Sequence, residues 1–390
     1  MLGFKLAYRN LIGAGLRTWL NVIVLSFSFV VIIWHKGLLE GWNQQARKDM
    51  IAWQIGGGVY WHENYDPYDP FTLQDSHGKI TSQIQNEIAQ DKLTPILIEQ
   101  AIIYPDGRMQ SVLMKGIDPR QTILELPSTR LYSDIEEVPV MIGSRMAKNN
   151  RLEVGDFVTV RWRDANGVFD AAEAKIVKIF KSNVPAIDNG QIWIPIERLW
   201  TMTKLNNEAT ILIVNRDYVK ANTFNGWNFK DHDFLLAEMD QIIHQKSVGG
   251  SILYVILLFL AMLAIFDTQV LSIFRRQKEI GTHLALGMTR GQVIKLFTIE
   301  GAMHSVLAAI VAAIYGIPLL SIQAIRGFSI PIATDDYGLA SAERIFPNYS
   351  AALVIGTILI VLITATIVSY LPTRKIAKMK PTEALKGKIQ

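Results

Sequence analysis

The sequence predicts an α-helical membrane protein with four transmembrane helices plus an α+β extracytoplasmic domain inserted between the first and second spans. Half of the 390 residues are apolar. Four segments match the stretch of about 20 apolar residues that crosses a bilayer. Residues 40–247, between the first two segments, have the mixed composition of a folded aqueous domain.

The predicted boundaries follow from these segments. In chain order they are a cytoplasmic interfacial helix (1–18), the first span (19–39), the extracytoplasmic domain with helical stalks (40–247), the second span (248–274), a cytoplasmic helical region (275–297), the third span (298–325), an extracytoplasmic loop (326–349), the fourth span (350–371) and a cytoplasmic tail (372–390). A solvated basic arm is the alternative for the N-terminal helix.

The charges outside the spans predict the orientation. The three segments 1–18, 275–295 and 372–390 together hold 14 basic and 2 acidic residues, whereas residues 40–246 hold 22 basic and 28 acidic ones. Lys and Arg concentrate on the cytoplasmic side of membrane proteins. Both termini and the 275–295 segment are therefore predicted to be cytoplasmic, and the large domain extracytoplasmic.

Strand patterns dominate the middle of the large domain. The turn at 164–167 (DANG) predicts a hairpin between two of the strands. A helix is predicted over 81–92, and the first stalk is expected to end at the three glycines 56–58. The predicted strands are 110–117, 157–162, 174–180, 191–196 and 210–214.

A compact helical hairpin is predicted between the second and third spans. Thr289 and Gln292 have the spacing of a capping box just before an apolar run, so a helix is expected to begin near Arg290. A short helix before it is expected to end at Gly287. An ordinary connecting loop is the alternative.

Three motifs resemble those of FtsX-type permease domains. They are R-Q-K-E-I-G with A-L-G and E-G over 276–301, P-T-R-K-I-A at 372–377 and P-T-E-A-L at 381–385. The layout is closest to the LolC/LolE lipoprotein-releasing permeases, with MacB as a further relative. Asp267, His283 and Leu284 depart from the family pattern and put the details of this region in doubt.

The resemblance implies a permease subunit of an ATP-driven transporter in a bacterial inner membrane. By that resemblance the 275–297 region is a coupling helix seated on a cytoplasmic ABC ATPase subunit, which binds the ATP and Mg. The chain itself is expected to bind no cofactor and to have no active site. The implied ATPase-coupling residues are Glu279, Gly281, Leu286, Gly287 and Arg290.

The expected partners are the ATPase, membrane lipid and a second permease chain, identical or homologous. Such a dimer would enclose an apolar cavity for a lipid-anchored substrate. The candidate cavity residues are Phe27, Phe29, Ile256 and Leu260. The alternative for these four residues is a plain lipid-facing or helix-packing surface. Ala308, Ala312 and Gly316 form a small-residue seam for helix packing, either within the chain or across a dimer.

Several kinds of chemistry are not indicated. The chain has no cysteine, which excludes a disulfide, a cysteine zinc site and a thiol nucleophile. Neither a Walker A nor an H-E-x-x-H motif is present, and nothing indicates nucleic-acid binding. The acidic and histidine clusters at 62–66 and 231–233 are interpreted as polar surface rather than metal ligands.

Three functions are compatible with these features. The first is movement of lipoproteins or another lipid-like substrate, with export of a peptide or small molecule as a variant. The second is a mechanotransmitter that activates a periplasmic partner such as a cell-wall hydrolase. A membrane-tethered enzyme is disfavoured by the absence of a catalytic constellation.

Overall fold

The computed structural model describes residues 16–133, 135–182, 184–218, 223–329 and 344–374. The chain divides into two compact units. The first consists of Met1–Trp42, Ile242–Phe328 and Ile345–Gln390, and the second of Asn43–Gln241 and Ser329–Arg344. Most of the predicted interfacial helix, loop 326–349 and C-terminal tail lies outside the described residues.

Nine α-helices lie in the described part of the chain. They are α1 (Leu16–Met50), α2 (Ser82–Ala89), α3 (Ser144–Asn150), α4 (Pro185–Asp188), α5 (Ile196–Thr203), α6 (His232–Arg275), α7 (Gln277–Ala285), α8 (Arg290–Arg326) and α9 (Ala351–Thr373). A π-helical turn, Ile51–Ile55, follows α1 and ends at Gly56, so the predicted stalk stops at the glycines as expected.

Thirteen β-strands lie in the same ranges. They are β1 (Val59–His62), β2 (Gly78–Lys79), β3 (Leu93–Ile103), β4 (Gln110–Ile117), β5 (Val138–Gly143), β6 (Phe157–Arg163), β7 (Phe169–Phe180), β8 (Gln191–Pro195), β9 (Glu208–Ala209), β10 (Ile211–Val214), β11 (Trp227–Lys230), β12 (Phe328–Ser329) and β13 (Arg344–Ile345).

Four helices are long and apolar enough to cross a membrane. They cover Trp19–Ile55, His232–Arg275, Arg290–Arg326 and Ala351–Thr373, and each contains one predicted span. Helix α6 is continuous, so the predicted stalk and the predicted second span form one helix.

Small and branched side chains fill the core of this four-helix bundle. Because lipid supplies no hydrophobic driving force between helices, close packing through small residues holds such bundles together. The core takes residues from all four helices: Val22, Leu25, Phe29, Val30, Ile33, Ala261, Ile265, Ala308, Ala312, Leu320, Val361 and Ala365.

The second unit is built on a nine-stranded sheet with the order β11-β1-β10-β3-β4-β8-β5-β7-β6. Strand β3 also pairs with β6, for example Ala101 with Trp162, so six strands close into a ring. Alternate side chains of a strand face opposite sides. One set therefore fills the ring interior, including Leu97, Met114 and Val140.

The other set of side chains forms a second core on the outer face of the ring. Ile96 and Ile98 of β3 and Trp193 of β8 pack there with Ile55 and with Leu236 of α6. The start of α6 is thus held by apolar packing within the second unit.

Candidate functional site

Helix α8, the second helix of the α7–α8 hairpin, begins with a capping box. The predicted capping box is present: Thr289 Oγ1 accepts a hydrogen bond from the backbone N of Gln292 at 3.3 Å, and Gln292 Oε1 accepts from the backbone N of Thr289 at 2.9 Å. Two otherwise unpaired N–H groups at the helix start are satisfied in this way.

The turn between the helices depends on Gly287. Its φ of +95° lies in the region that side chains with a Cβ rarely adopt. The Gly287 backbone N donates to Leu284 O at 3.2 Å, and Met288 N donates to His283 O at 3.1 Å, which closes α7. The predicted helix end is therefore found at this glycine.

A small apolar core holds the two helices together. Ile280 of α7 and Val293 and Phe297 of α8 are fully buried, and Ile273 near the end of α6 completes the cluster. The hairpin thus has its own packed interior rather than the open character of a loop.

Arg276 links three parts of the hairpin. Its Nε donates to Glu279 at 2.6 Å, and its Nη1 donates to both carboxylate oxygens of Glu300, at 2.8 and 2.9 Å. The guanidinium also lies 4.9 Å from the ring centroid of Phe297. Charged hydrogen bonds are among the strongest in proteins, so this network joins α7 to α8 through Arg276.

Arg276 and Glu300 belong to the predicted R-Q-K-E-I-G and E-G motifs, but their ion pair could be recognised only in the structure. The available signal was an arginine and a glutamate 24 residues apart, one on each side of the predicted turn.

The five implied coupling residues occupy two environments. Gly281 is buried, whereas Glu279, Leu286, Gly287 and Arg290 are exposed. Leu286 is 80% exposed at the turn. An exposed apolar side chain on a turn between two packed helices is an arrangement that a protein partner can bind.

The four candidate cavity residues do not share one environment. Phe29 is buried in the core of the bundle, whereas Phe27, Ile256 and Leu260 are exposed. The small-residue seam lies in the same core as Phe29. A Cβ on Gly316 would come within 2.8 Å of the Val30 side chain, which shows how closely the two helices approach.

The two polar clusters have structural roles in the second unit. His232 Nε2 is 2.8 Å from the backbone O of Gly56, and the His62 ring packs edge-on against Trp227. Within the described ranges no group of three or more His, Asp or Glu side chains could hold a metal ion. Asp267 is exposed on α6.

Comparison with known proteins identifies the region that contains the hairpin. Residues 251–381 match the family described as FtsX-like permease C-terminal. This finding confirms the resemblance that the three sequence motifs indicated.

Three relatives are ABC transporter permeases. The uncharacterized ABC transporter permease YknZ of Bacillus subtilis is 26% identical over 220 residues, which cover 56% of this chain and 50% of that protein. The macrolide export ATP-binding/permease protein MacB of Sodalis glossinidius is 29% identical, with 39% of this chain and 22% of that protein covered. LolC of Neisseria meningitidis, a lipoprotein-releasing system transmembrane protein, is 21% identical over 75% of this chain and 77% of its own.

The chain spans half or less of the length of the YknZ and MacB relatives. A solved structure, the extracellular domain of the YknZ transporter from Gram-positive bacteria, covers 42% of this chain and 83% of its own at 10% identity and a TM-score of 0.26. Residues 251–381 thus match the FtsX-like permease family, and the chain is similar to the ABC transporter permease YknZ, the ATP-binding/permease protein MacB and the lipoprotein-releasing transmembrane protein LolC.

Proposed function

We propose that this chain is the non-catalytic membrane subunit of an ABC transporter and that the α7–α8 hairpin docks a separate ATPase chain. The observation that carries the proposal is the hairpin itself. A packed interior, an ion-pair network and an exposed apolar turn stand in the region that matches the FtsX-like family. A rigid projection of this kind can transmit motion, whereas a mobile loop would absorb it.

The proposed orientation places the hairpin and both termini in the cytoplasm of a bacterial inner membrane, with the second unit outside. The excess of Lys and Arg in the segments next to the spans supports this orientation. ATP and Mg would be held by the ATPase chain, and the permease would supply no ligand to either.

A second permease chain, identical or homologous, would complete the assembly. The support is the large number of apolar side chains that α6 leaves exposed, among them Ile256 and Leu260. Lipid or a second copy can cover such a surface. Phe29 does not belong to it, because the bundle core already encloses that ring.

The substrate that we propose is a lipoprotein or another lipid-like molecule. The LolC relative, a lipoprotein-releasing system transmembrane protein, aligns with three quarters of this chain and supports this choice. The rival functions are activation of a periplasmic partner such as a cell-wall hydrolase, and export of a peptide or small molecule; the MacB relative is named for macrolide export.

Purification from the native membrane in a mild detergent, followed by mass spectrometry of the proteins that accompany the chain, tests the proposal. An ABC ATPase together with acylated lipoproteins is the expected result. An ATPase with a cell-wall hydrolase or adaptor would replace transport by mechanotransmission. Absence of an ATPase in every mild detergent would contradict the permease function.

A further inference from the structure

A cavity of about 660 Å³ lies in the second unit on the outer face of the strand ring. The strands contribute Ile96, Ile98 and Ile211, and the start of α6 contributes Phe234 and Leu235. The volume falls within the range of about 300–1,000 Å³ that small-molecule sites occupy. Its walls are chiefly aliphatic and aromatic, as expected for an apolar ligand.

One lysine lies in this apolar wall. Lys115 is 9% exposed and lines the cavity. Strand pairing places it opposite Ile98, whereas the buried carboxyl of Glu99 is opposite Met114 and faces the ring interior. The two groups are therefore on opposite faces of the sheet and do not pair.

The ammonium group of Lys115 has an aromatic neighbour but no anion. Its Nζ is 5.3 Å from the ring centroid of Trp193, and no hydrogen bond or ion pair joins it to any described residue. Burial lowers the pKa of Lys115 to about 8, so the amine still carries its proton at neutral pH. Buried charges in proteins are ordinarily paired.

Two other residues of the cavity wall each carry a buried polar atom without a partner. Trp193 Nε1 is a buried donor and Gln54 Oε1 a buried acceptor, and neither has a hydrogen-bond partner among the described residues. Both residues line the cavity. Buried polar atoms are nearly always hydrogen-bonded. Three unpartnered groups around one apolar cavity therefore indicate the place of a polar headgroup.

We propose that this cavity binds a single-chain amphiphile with a carboxylate headgroup, which Lys115 Nζ and Trp193 Nε1 hold by donated hydrogen bonds. The apolar walls cover the chain. We choose a headgroup with a single negative charge, because Lys115 is the single cation among the described lining residues. Glu238 in the same wall would repel a second negative charge. The site rests on the second unit alone, so it does not depend on the permease function.

Equilibrium dialysis of radiolabelled decanoate against the full chain in phosphatidylcholine nanodiscs tests the site. Binding to empty nanodiscs is subtracted. We expect saturable binding of one decanoate per chain, and weaker binding of decanol, which has the same chain length without the charge. Equal affinity for decanol and decanoate, or no saturable binding, would overturn the proposal. Tighter binding of decyl phosphate would overturn the choice of a carboxylate.

Lys115→Met removes the cation and keeps a side chain of similar length. It is expected to weaken decanoate binding at least tenfold, since charged hydrogen bonds are strong contributors to affinity. The matched control is Lys175→Met, because Lys175 Nζ likewise lies 5.3 Å from an aromatic ring, that of Phe157, away from the cavity. This control should stay within twofold of the native chain. Unchanged binding by Lys115→Met would refute the assignment.

Two further variants keep the test decisive if Lys115→Met does not fold. Trp193→Phe removes the N–H and keeps the ring, and a threefold to tenfold loss of affinity is expected. Ile98→Phe adds volume to the wall and should weaken decanoate and decanol together. Native affinity in both variants would place decanoate elsewhere.

Discussion

At the scale of single residues, the burial of Glu99 makes the stability of the folded chain depend on pH. The side chain is 7% exposed inside the strand ring, and burial raises its pKa to about 8 from an ordinary value of 4.5. The folded chain therefore holds this proton more tightly than the unfolded chain does. Stability is expected to fall as pH rises from about 4.5 to 8 and then to level off.

Glu99→Gln removes this ionisation without changing the shape of the side chain. The variant should be more stable than the native chain at pH 8, by an amount of the order of 3 kcal/mol, and the two should converge toward pH 5. Thermal unfolding of the detergent-solubilised chain across this pH range measures it. Glu173→Gln, at an exposed position of β7, is the control. A constant difference between native chain and Glu99→Gln would contradict the predicted coupling.

A second prediction at this scale concerns the contribution of the Arg276–Glu300 ion pair to folding stability. The side chain of Glu300 is 9% exposed, so Arg276→Met leaves a carboxylate buried without its cation. We expect a loss of about 3 kcal/mol, seen as a lower unfolding temperature. The double variant Arg276→Met with Glu300→Gln should recover part of that loss. If the double variant is no more stable than the single one, the pair does not act as a unit.

At the scale of elements, local pattern predicted five of the eleven strands β1–β11 of the second unit, namely β4, β6, β7, β8 and β10, together with helix α2. Strand β4 has the predicted bounds, and the DANG turn joins β6 to β7 as expected. Strand β3 was missed, because Pro95 and Glu99 interrupt its apolar run. Pro95 is tolerated because it pairs with β10 only; the pairing of β3 with its second neighbour, β4, begins one residue later, at Ile96.

Ring closure could not be predicted from the same patterns. The pairing of Ala101 with Trp162 joins residues distant in sequence, and periodicity reports only which face of a strand is buried. Lys115 is an example. The sequence predicted that it lies in β4, but not that it lies beside Ile98 on the outer face of the ring, because that depends on which strands pair.

The close packing of α8 against α9 at Gly301 predicts that an added methyl group there lowers folding stability. A Cβ there would collide with the side chain of Ser369, so Gly301→Ala must push α8 and α9 apart. We expect a cost of about 1–3 kcal/mol, measured as a lower unfolding temperature in detergent. Gly356→Ala is the matched control, because no atom lies within 4 Å of its added methyl group. Equal effects of the two variants would refute the close approach at Gly301.

At the scale of the whole molecule, the chain carries two sites with different origins. The hairpin belongs to the first unit and could be predicted from sequence, since its capping box, glycine turn and family motifs are all local. The cavity belongs to the second unit and could not, since its walls come from β3, β4, β8, β10 and the start of α6. Only folding brings those residues together.

A single substitution at the hairpin turn tests whether this turn docks an ATPase chain. Leu286→Asp changes an exposed side chain that is not part of the hairpin core, so the fold should be retained. Met109→Asp, at a 72% exposed apolar position in a loop of the second unit, is the control.

Both variants and the native chain would be purified from native membranes in the same mild detergent, and the accompanying ABC ATPase quantified. We expect Leu286→Asp to lose at least nine tenths of the accompanying ATPase and Met109→Asp to keep it. Full recovery of the ATPase with Leu286→Asp would contradict docking at this turn.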